Sequence, residues 1–253
     1  MLSQKRQEPS AQSCRTNRLI LLVDGDIRYG GYLAKILKRF DYQIYTATTA
    51  REALESVITV VPSLVILSLN LKDMDSFKFM QGLKKNPMTA GIPFIMLTRQ
   101  DDQREETKSF LSGALDCLSV PVSVERLYRS VQTVVETTPR TDIRIRMLLP
   151  VKINKTTDAE RTCMLDISER GLFLASSEPS AVSTSLNLLI NLNGRLIPAE
   201  AVVLHKNENG EGPYLQAGMG LQFIKISPPD RAAIQQFIKE EILRGISPDI
   251  PLQ

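Results

Sequence analysis

From Leu19 onward the chain alternates short apolar runs with stretches of helical spacing. Leu19–Val23 is continuously apolar and ends at Asp24, the pattern of a buried parallel strand. Tyr32, Leu33, Ile36 and Leu37 then fall on one helical face, with Gly30 and Gly31 weakening the first turns. Tyr42–Ala47 predicts a second strand, and Thr49 with Glu52 forms a capping box ahead of a helix reading AREALESVI. Leu64–Leu69 and Pro93–Leu97 read as two more buried strands, separated by a helix around Phe77–Leu83. A polar helix from Asp101 to Leu111, a fifth strand at Leu115–Leu118 and an amphipathic helix at Val124–Val135 follow. Strands alternating with helices at this spacing predict a doubly wound α/β domain over residues 17–137, built on a parallel five-stranded sheet. Such sheets carry function at the carboxyl ends of their strands, here Asp24, Ser68, Thr98 and Val120.

Thr137, Thr138 and Pro139 break the last helix and mark a domain boundary. Beyond it the period changes. Met147–Asn154, Cys163–Ile167, Gly171–Ala175, Leu186–Leu192, Leu196–His205 and Ala217–Ile226 are six strand candidates, joined by turns such as NLNGR and NENGEGP. Pro228, Pro229 and Asp230 open a helix with Ala233, Ile234, Phe237, Ile238 and Ile242 on one face. The second half, residues 138–245, therefore predicts a small antiparallel β-barrel closed by a C-terminal helix, with residues 138–146 as its entry linker. Residues 1–16 are polar and aperiodic and predict a disordered tail; residues 246–253 predict a frayed end.

The 253 residues suffice for two domains with their own cores. A formal net charge of +3 is too small to argue for wholesale DNA or membrane binding. Cys14, Cys117 and Cys163 lack metal-ligand spacing, and with a single histidine they assemble no zinc site, which points to a reducing compartment. The first residues lack the apolar segment of a signal peptide, and no apolar run is long enough to span a bilayer. The expectation is a cytoplasmic protein without membrane insertion.

The candidate chemistry centres on the domain boundary and the turn after it. Arg140 and Arg144 stand four apart in a polar connector, and Asp166, Ser168 and Gly171 follow between two apolar runs. An arginine forks onto phosphate and stacks on a purine. An aspartate accepts from the N–H edge of a guanine, while a small hydroxyl and a glycine allow close approach. The set suits a guanine nucleotide carrying phosphates. The plainer alternatives are a solvated basic linker for the arginines and an ordinary hairpin turn for Asp166–Gly171. Arg146, nearby in sequence, is either a further ligand contact or a solvated residue at a strand entry. His205 reads as a strand-surface residue without a catalytic role, and Cys163 as a buried strand residue.

Two family resemblances sharpen this picture. LILLVDGDIRYGGYLAKIL, LVILSLNLKDMDSF, IPFIMLTRQ and GALDCLSVPVSVERL together resemble the response-regulator receiver domain over residues 17–137. The resemblance implies a phosphoryl-accepting aspartate where this chain has Ser68, an adjacent acid pair where it has Asp24 followed by Gly25, and a lysine where it has Val120. Thr98 alone keeps its expected type. Too little negative charge remains to hold magnesium, so the expectation is a pseudo-receiver that is not phosphorylated. Asp26 is either a helix cap or a substitute metal ligand. Over residues 138–243, RxxxR, DxSxxG with GLFL, and GMGLQF before a terminal helix are similar to the PilZ domain. That resemblance implies binding of cyclic di-GMP through Arg140, Arg144, Asp166, Ser168 and Gly171.

The combined expectation is a non-enzymatic cyclic di-GMP effector. Ligand would order the arginine segment, and the receiver would offer a homodimerisation or docking surface through its last helix. The rival readings are a nucleotide-independent scaffold for motility or pilus machinery, a DNA-binding regulator, for which no basic recognition helix is evident, and a phosphorylation-driven switch.

Overall fold

The computed structural model describes residues 18–99, 103–137, 139–140, 142–153, 162–208 and 216–246. The tail predicted over residues 1–16 lies outside the described residues, as do residues 247–253. The chain divides into two compact units at Pro139 and Arg140.

The first unit runs β1 (Leu19–Val23), α1 (Ile27–Arg39), β2 (Gln43–Ala47), α2 (Ala50–Val60), β3 (Leu64–Ser68), α3 (Ser76–Lys85), β4 (Phe94–Arg99), α4 (Gln103–Leu111), β5 (Asp116–Val120) and α5 (Val124–Val135). Its strands form one parallel sheet in the order β2-β1-β3-β4-β5. Because helices cover both faces, β1 and β3 are buried at every residue, which is why their sequences read as unbroken apolar runs. Leu21, Val23, Val65 and Leu67 pack with Phe79, Met80 and Phe94 on one side of the sheet. Thr49 caps α2 by accepting from the Glu52 N–H, and Glu52 reaches back to the Thr48 N–H at 2.8 Å, closing the predicted box one residue early. The apolar stripe of α5 (Val124, Leu127, Tyr128, Val131, Val135) is used up in this unit's own core. The exposed apolar residues stand elsewhere, with Phe110 and Leu111 ending α4 and Leu115 just before β5.

The second unit runs β6 (Ile145–Ile153), β7 (Thr162–Ser168), β8 (Gly171–Ala175), β9 (Ser185–Leu192), β10 (Arg195–Asn207), β11 (Gly218–Lys225) and α6 (Pro228–Leu243). The strands close a barrel in the order β10-β11-β8-β7-β6-β9, with antiparallel neighbours throughout. Ile145 and Arg146 already belong to β6, so the connector ends at Arg144, two residues earlier than expected. Ser227 caps α6, a proline occupies its first turn, and the helix buries Ile234, Phe237, Ile238 and Ile242. Each such side chain contributes about 1.5–3 kcal/mol of burial free energy. Ala233, expected on that face, is only half-buried.

One irregularity decides which side chains of β7 face the core. Met164 pairs with Leu174 and Asp166 with Phe173, so two residues of β7 oppose one of β8 across a β-bulge. Strict alternation would put Met164 and Asp166 on one face. The bulge separates them: Met164 and Ile167 join Leu172 and Leu174 inside the barrel, while Asp166 and Ser168 share the outer face with Phe173 and Gly171. Cys163 is exposed, against the expectation of a buried residue, because Thr162 and Met164 take the inward positions on either side of it.

Candidate functional site

The β7–β8 hairpin presents three of the five sequence-predicted ligand residues in one place. Asp166 is 2% exposed, and its Oδ1 has no hydrogen-bond partner. Its Oδ2 lies 3.9 Å from Arg144 Nη1, close enough for charge attraction but too long for a direct hydrogen bond. Burial pushes the Asp166 carboxyl above the usual carboxylate range. The positive charges of Arg144 and then Arg140, with the Phe173 backbone N–H and Arg146, pull it back only partly. Ser168 is buried in the turn, where its hydroxyl donates to the Gly171 carbonyl at 3.2 Å and accepts from the Arg170 N–H at 3.4 Å. Gly171 has no room for a side chain, since a Cβ there would sit 2.1 Å from the Leu221 carbonyl oxygen. Its conservative role is therefore close strand approach: β8 packs directly on β11 at this point.

The two arginines differ. Arg144 is half-exposed and sits against Asp166, whereas Arg140 is exposed and acts on Asp166 through its charge. Between them, Asp142 pairs with Arg170 at 3.2 Å. Arg146 is the register partner of Asp166. That row continues through Phe173 and Gly220 to His205, placing all five residues on one face. His205 is exposed, its ring lies directly over Gly220 and is 6.1 Å from that of Phe173. The turn is tied to α6 as well: Arg231 donates to the Glu169 carbonyl at 2.9 Å, and Gln235 bonds the Glu169 carboxylate.

The strand ends of the first unit tell a different story. Asp24 is 4% exposed, accepts from the Asp26 N–H at 3.0 Å, and is pushed upward in pKa by its burial. Asp26 caps α1, accepting from the N–H groups of Arg28 and Tyr29 at 2.9 and 3.2 Å, and so takes the capping role. A Cβ on Gly25 would meet the Asn70 carbonyl oxygen at 2.1 Å, so the backbone itself excludes a second acid there. The Ser68 hydroxyl accepts from the Asn70 N–H at 3.2 Å, and its carbonyl accepts from the Ser76 hydroxyl at 2.7 Å. Thr98 is buried, and Val120, joined to Pro121 by a cis peptide, offers only an aliphatic side chain. One carboxylate, one glycine and one hydroxyl do not make the oxygen-rich site that magnesium needs. Among the described residues no group of three or more His, Cys, Asp or Glu stands together as a metal site.

Comparison with known families agrees with this division. Residues 20–132 match the response regulator receiver domain, and residues 138–240 match the PilZ domain. The chain is a receiver domain followed by a PilZ domain. Among curated proteins it is similar to the DNA-binding dual master transcriptional regulator RpaA of Synechocystis, at 29% identity over 48% of this chain and 50% of the relative. It is also similar to a Vibrio cholerae protein named a probable cyclic di-GMP phosphodiesterase, at 31% identity over 45% of this chain and 26% of the relative. The chain thus spans half or less of the length of these two relatives. The receiver domain of NtrX from Brucella abortus is a similar solved structure, with 25% identity and a TM-score of 0.44 over 47% of this chain and 99% of that one.

Within the PilZ unit, the structure brings Arg144, Asp166, Ser168 and Gly171 together and leaves Arg140 exposed beside them. Sequence reasoning missed Asp142 and Arg170. The signal was present as an acid inside RTDIR and a base inside SERG, but nothing in their spacing shows that the two meet. Within the receiver unit, Asp24, Ser68 and Thr98 are buried at the strand ends and Gly25 is packed against the chain.

Proposed function

We propose that the PilZ unit binds cyclic di-GMP through Arg140, Arg144, Asp166, Ser168 and Gly171, and that the protein is a non-enzymatic signalling effector. The observation that carries this reading is the Asp166 carboxylate. It is buried and ionisable, its Oδ1 has no hydrogen-bond partner, and the Arg144 guanidinium stands 3.9 Å from its Oδ2. A guanine edge offering adjacent N–H donors supplies what that carboxylate lacks. Arg144 and Arg140 then remain for the phosphates and for stacking on the base.

The receiver unit acts without phosphorylation, since Gly25, Ser68 and Val120 replace the groups that acyl-phosphate chemistry needs. Ligand seated on the segment joining the two units changes their arrangement, a hinge-type switch. Exposed Phe110, Leu111 and Leu115 give the receiver unit a face for a second copy or a protein partner.

Thermal melting with and without cyclic di-GMP tests the binding claim. Ligand at a hundred times its dissociation constant stabilises its domain by about 2.7 kcal/mol. An unmoved melting curve at millimolar ligand contradicts the reading. Superimposable scattering profiles in the two states would sink the hinge while leaving binding intact.

A further inference from the structure

We propose that Arg170 is a third phosphate-binding arginine of the PilZ unit, and that Asp142 occupies it until ligand arrives. This inference rests on the cyclic di-GMP reading above.

Asp142 lies midway in sequence between Arg140 and Arg144, on the segment that carries both arginines. Its carboxylate Oδ1 stands 3.2 Å from Arg170 Nε, and its side chain is only 15% exposed. Arg170 occupies the hairpin turn between Ser168 and Gly171. Its backbone is fixed there, with its N–H donating to the Ser168 hydroxyl and its carbonyl accepting from the Phe223 N–H at 2.8 Å. The side chain, by contrast, is 58% exposed, and Asp142 is the acid nearest its Nε in this structure.

The other acid beside it is Glu169, at 3.9 Å. Glu169 is anchored to α6 by Gln235 and Arg231, so it does not follow the guanidinium. Asp142 is therefore the one carboxylate that both holds Arg170 and belongs to the ligand-binding segment.

A carboxylate and a phosphodiester present a guanidinium with the same fork of two oxygens. Asp142 stands where a ligand phosphate would compete, and the pair closes the arginine segment onto the hairpin. Exchange releases the Asp142 carboxylate to water and turns Arg170 onto the phosphate. The site thus contains its own competitor, which sets the ligand concentration at which it responds.

The test is calorimetric titration of cyclic di-GMP into the full chain carrying Asp142→Asn, Arg170→Gln, or both. Removing the competitor tightens binding about two- to fivefold, the range that a partly exposed ion pair supports. Arg170→Gln weakens binding about fivefold or more, and adding Asp142→Asn to it gives no further tightening, because the two substitutions act through one contact. Unchanged or weaker binding by Asp142→Asn overturns the proposal, as does tightening that persists when Arg170 is gone. Asp142→Ser is the second variant should the amide perturb folding. A wild type that fails to bind cyclic di-GMP refutes the parent reading; a binding wild type with unresponsive variants refutes only this one.

Discussion

Replacing Asp166 with asparagine is expected to stabilise the PilZ unit while destroying its ligand site. Two opposing effects set the size. A buried acceptor without a partner costs about 1–3 kcal/mol, and more when it carries charge. Asp166 Oδ1 is in that state, and the neutral amide lowers the cost. Against this, the variant forfeits attraction to Arg144, which is 3.9 Å away and 37% exposed. A pair of that kind is worth about 1 kcal/mol or less, and the freed arginine remains hydrated. The net expectation at neutral pH is a gain of about 1 kcal/mol, or about 4–8 °C in melting temperature for a domain of this size.

The pH dependence follows from the raised pKa. Between the unfolded and folded pKa values the native state binds more protons than the unfolded chain, so stability falls as pH rises through that window. Below it Asp166 is protonated in both states and carries no charge penalty. The variant's advantage should therefore be near zero at the acid end and grow to a plateau above the folded pKa. Scanning calorimetry of the full chain across pH, fitted to one transition per unit, measures it. A variant less stable at neutral pH, or a difference that does not change with pH, refutes the account of Asp166.

Other consequences are equally specific. Gly171→Ala drives a Cβ to 2.1 Å from the Leu221 carbonyl, so the barrel should lose about 1–3 kcal/mol in denaturant unfolding; a loss under about 0.5 kcal/mol would show that β8 and β11 are not tightly apposed. Acetyl phosphate should leave no phosphoryl group on the receiver unit, by intact mass, and Ser68→Asp alone should not restore labelling, because Gly25 has no room for the second acid. Labelling of the wild type contradicts the pseudo-receiver reading. In the native protein a thiol-specific disulfide reagent should modify exposed Cys163 well before Cys117, whose thiol is buried and pushed up to about 11. Equal rates at the two would place Cys117 at the surface.

Much of the architecture was legible because each unit's burial imposes its own period. β1 and β3, covered on both faces, read as unbroken apolar runs, and the parallel sheet followed from the alternation with helices. The barrel was legible from turn residues and a half-wet pattern, down to Gly171–Ala175, which the structure reproduces as β8. The β7 bulge was not legible, because CMLDIS carries no glycine to mark it. Cys163 was misplaced for that reason, and the opposite facing of Met164 and Asp166 was hidden.

The candidate site shows the same limit. Arg140, Arg144, Asp166, Ser168 and Gly171 announced themselves by spacing. The meeting of Asp142 with Arg170 depends on how the connector lies along the hairpin, a long-range contact that local sequence does not encode. Gly25 was visible as a missing acid. That the Asn70 carbonyl fills the space, and so makes the loss structural, needed the backbone.

The most direct test of the central claim is isothermal titration of cyclic di-GMP into the full chain and into Arg144→Ala. A micromolar or tighter dissociation constant for the wild type, weakened at least about tenfold in the variant, is the predicted result and corresponds to about 1.4 kcal/mol or more lost with the arginine. No heat from the wild type, or equal affinity in the two proteins, would contradict the assignment of this site.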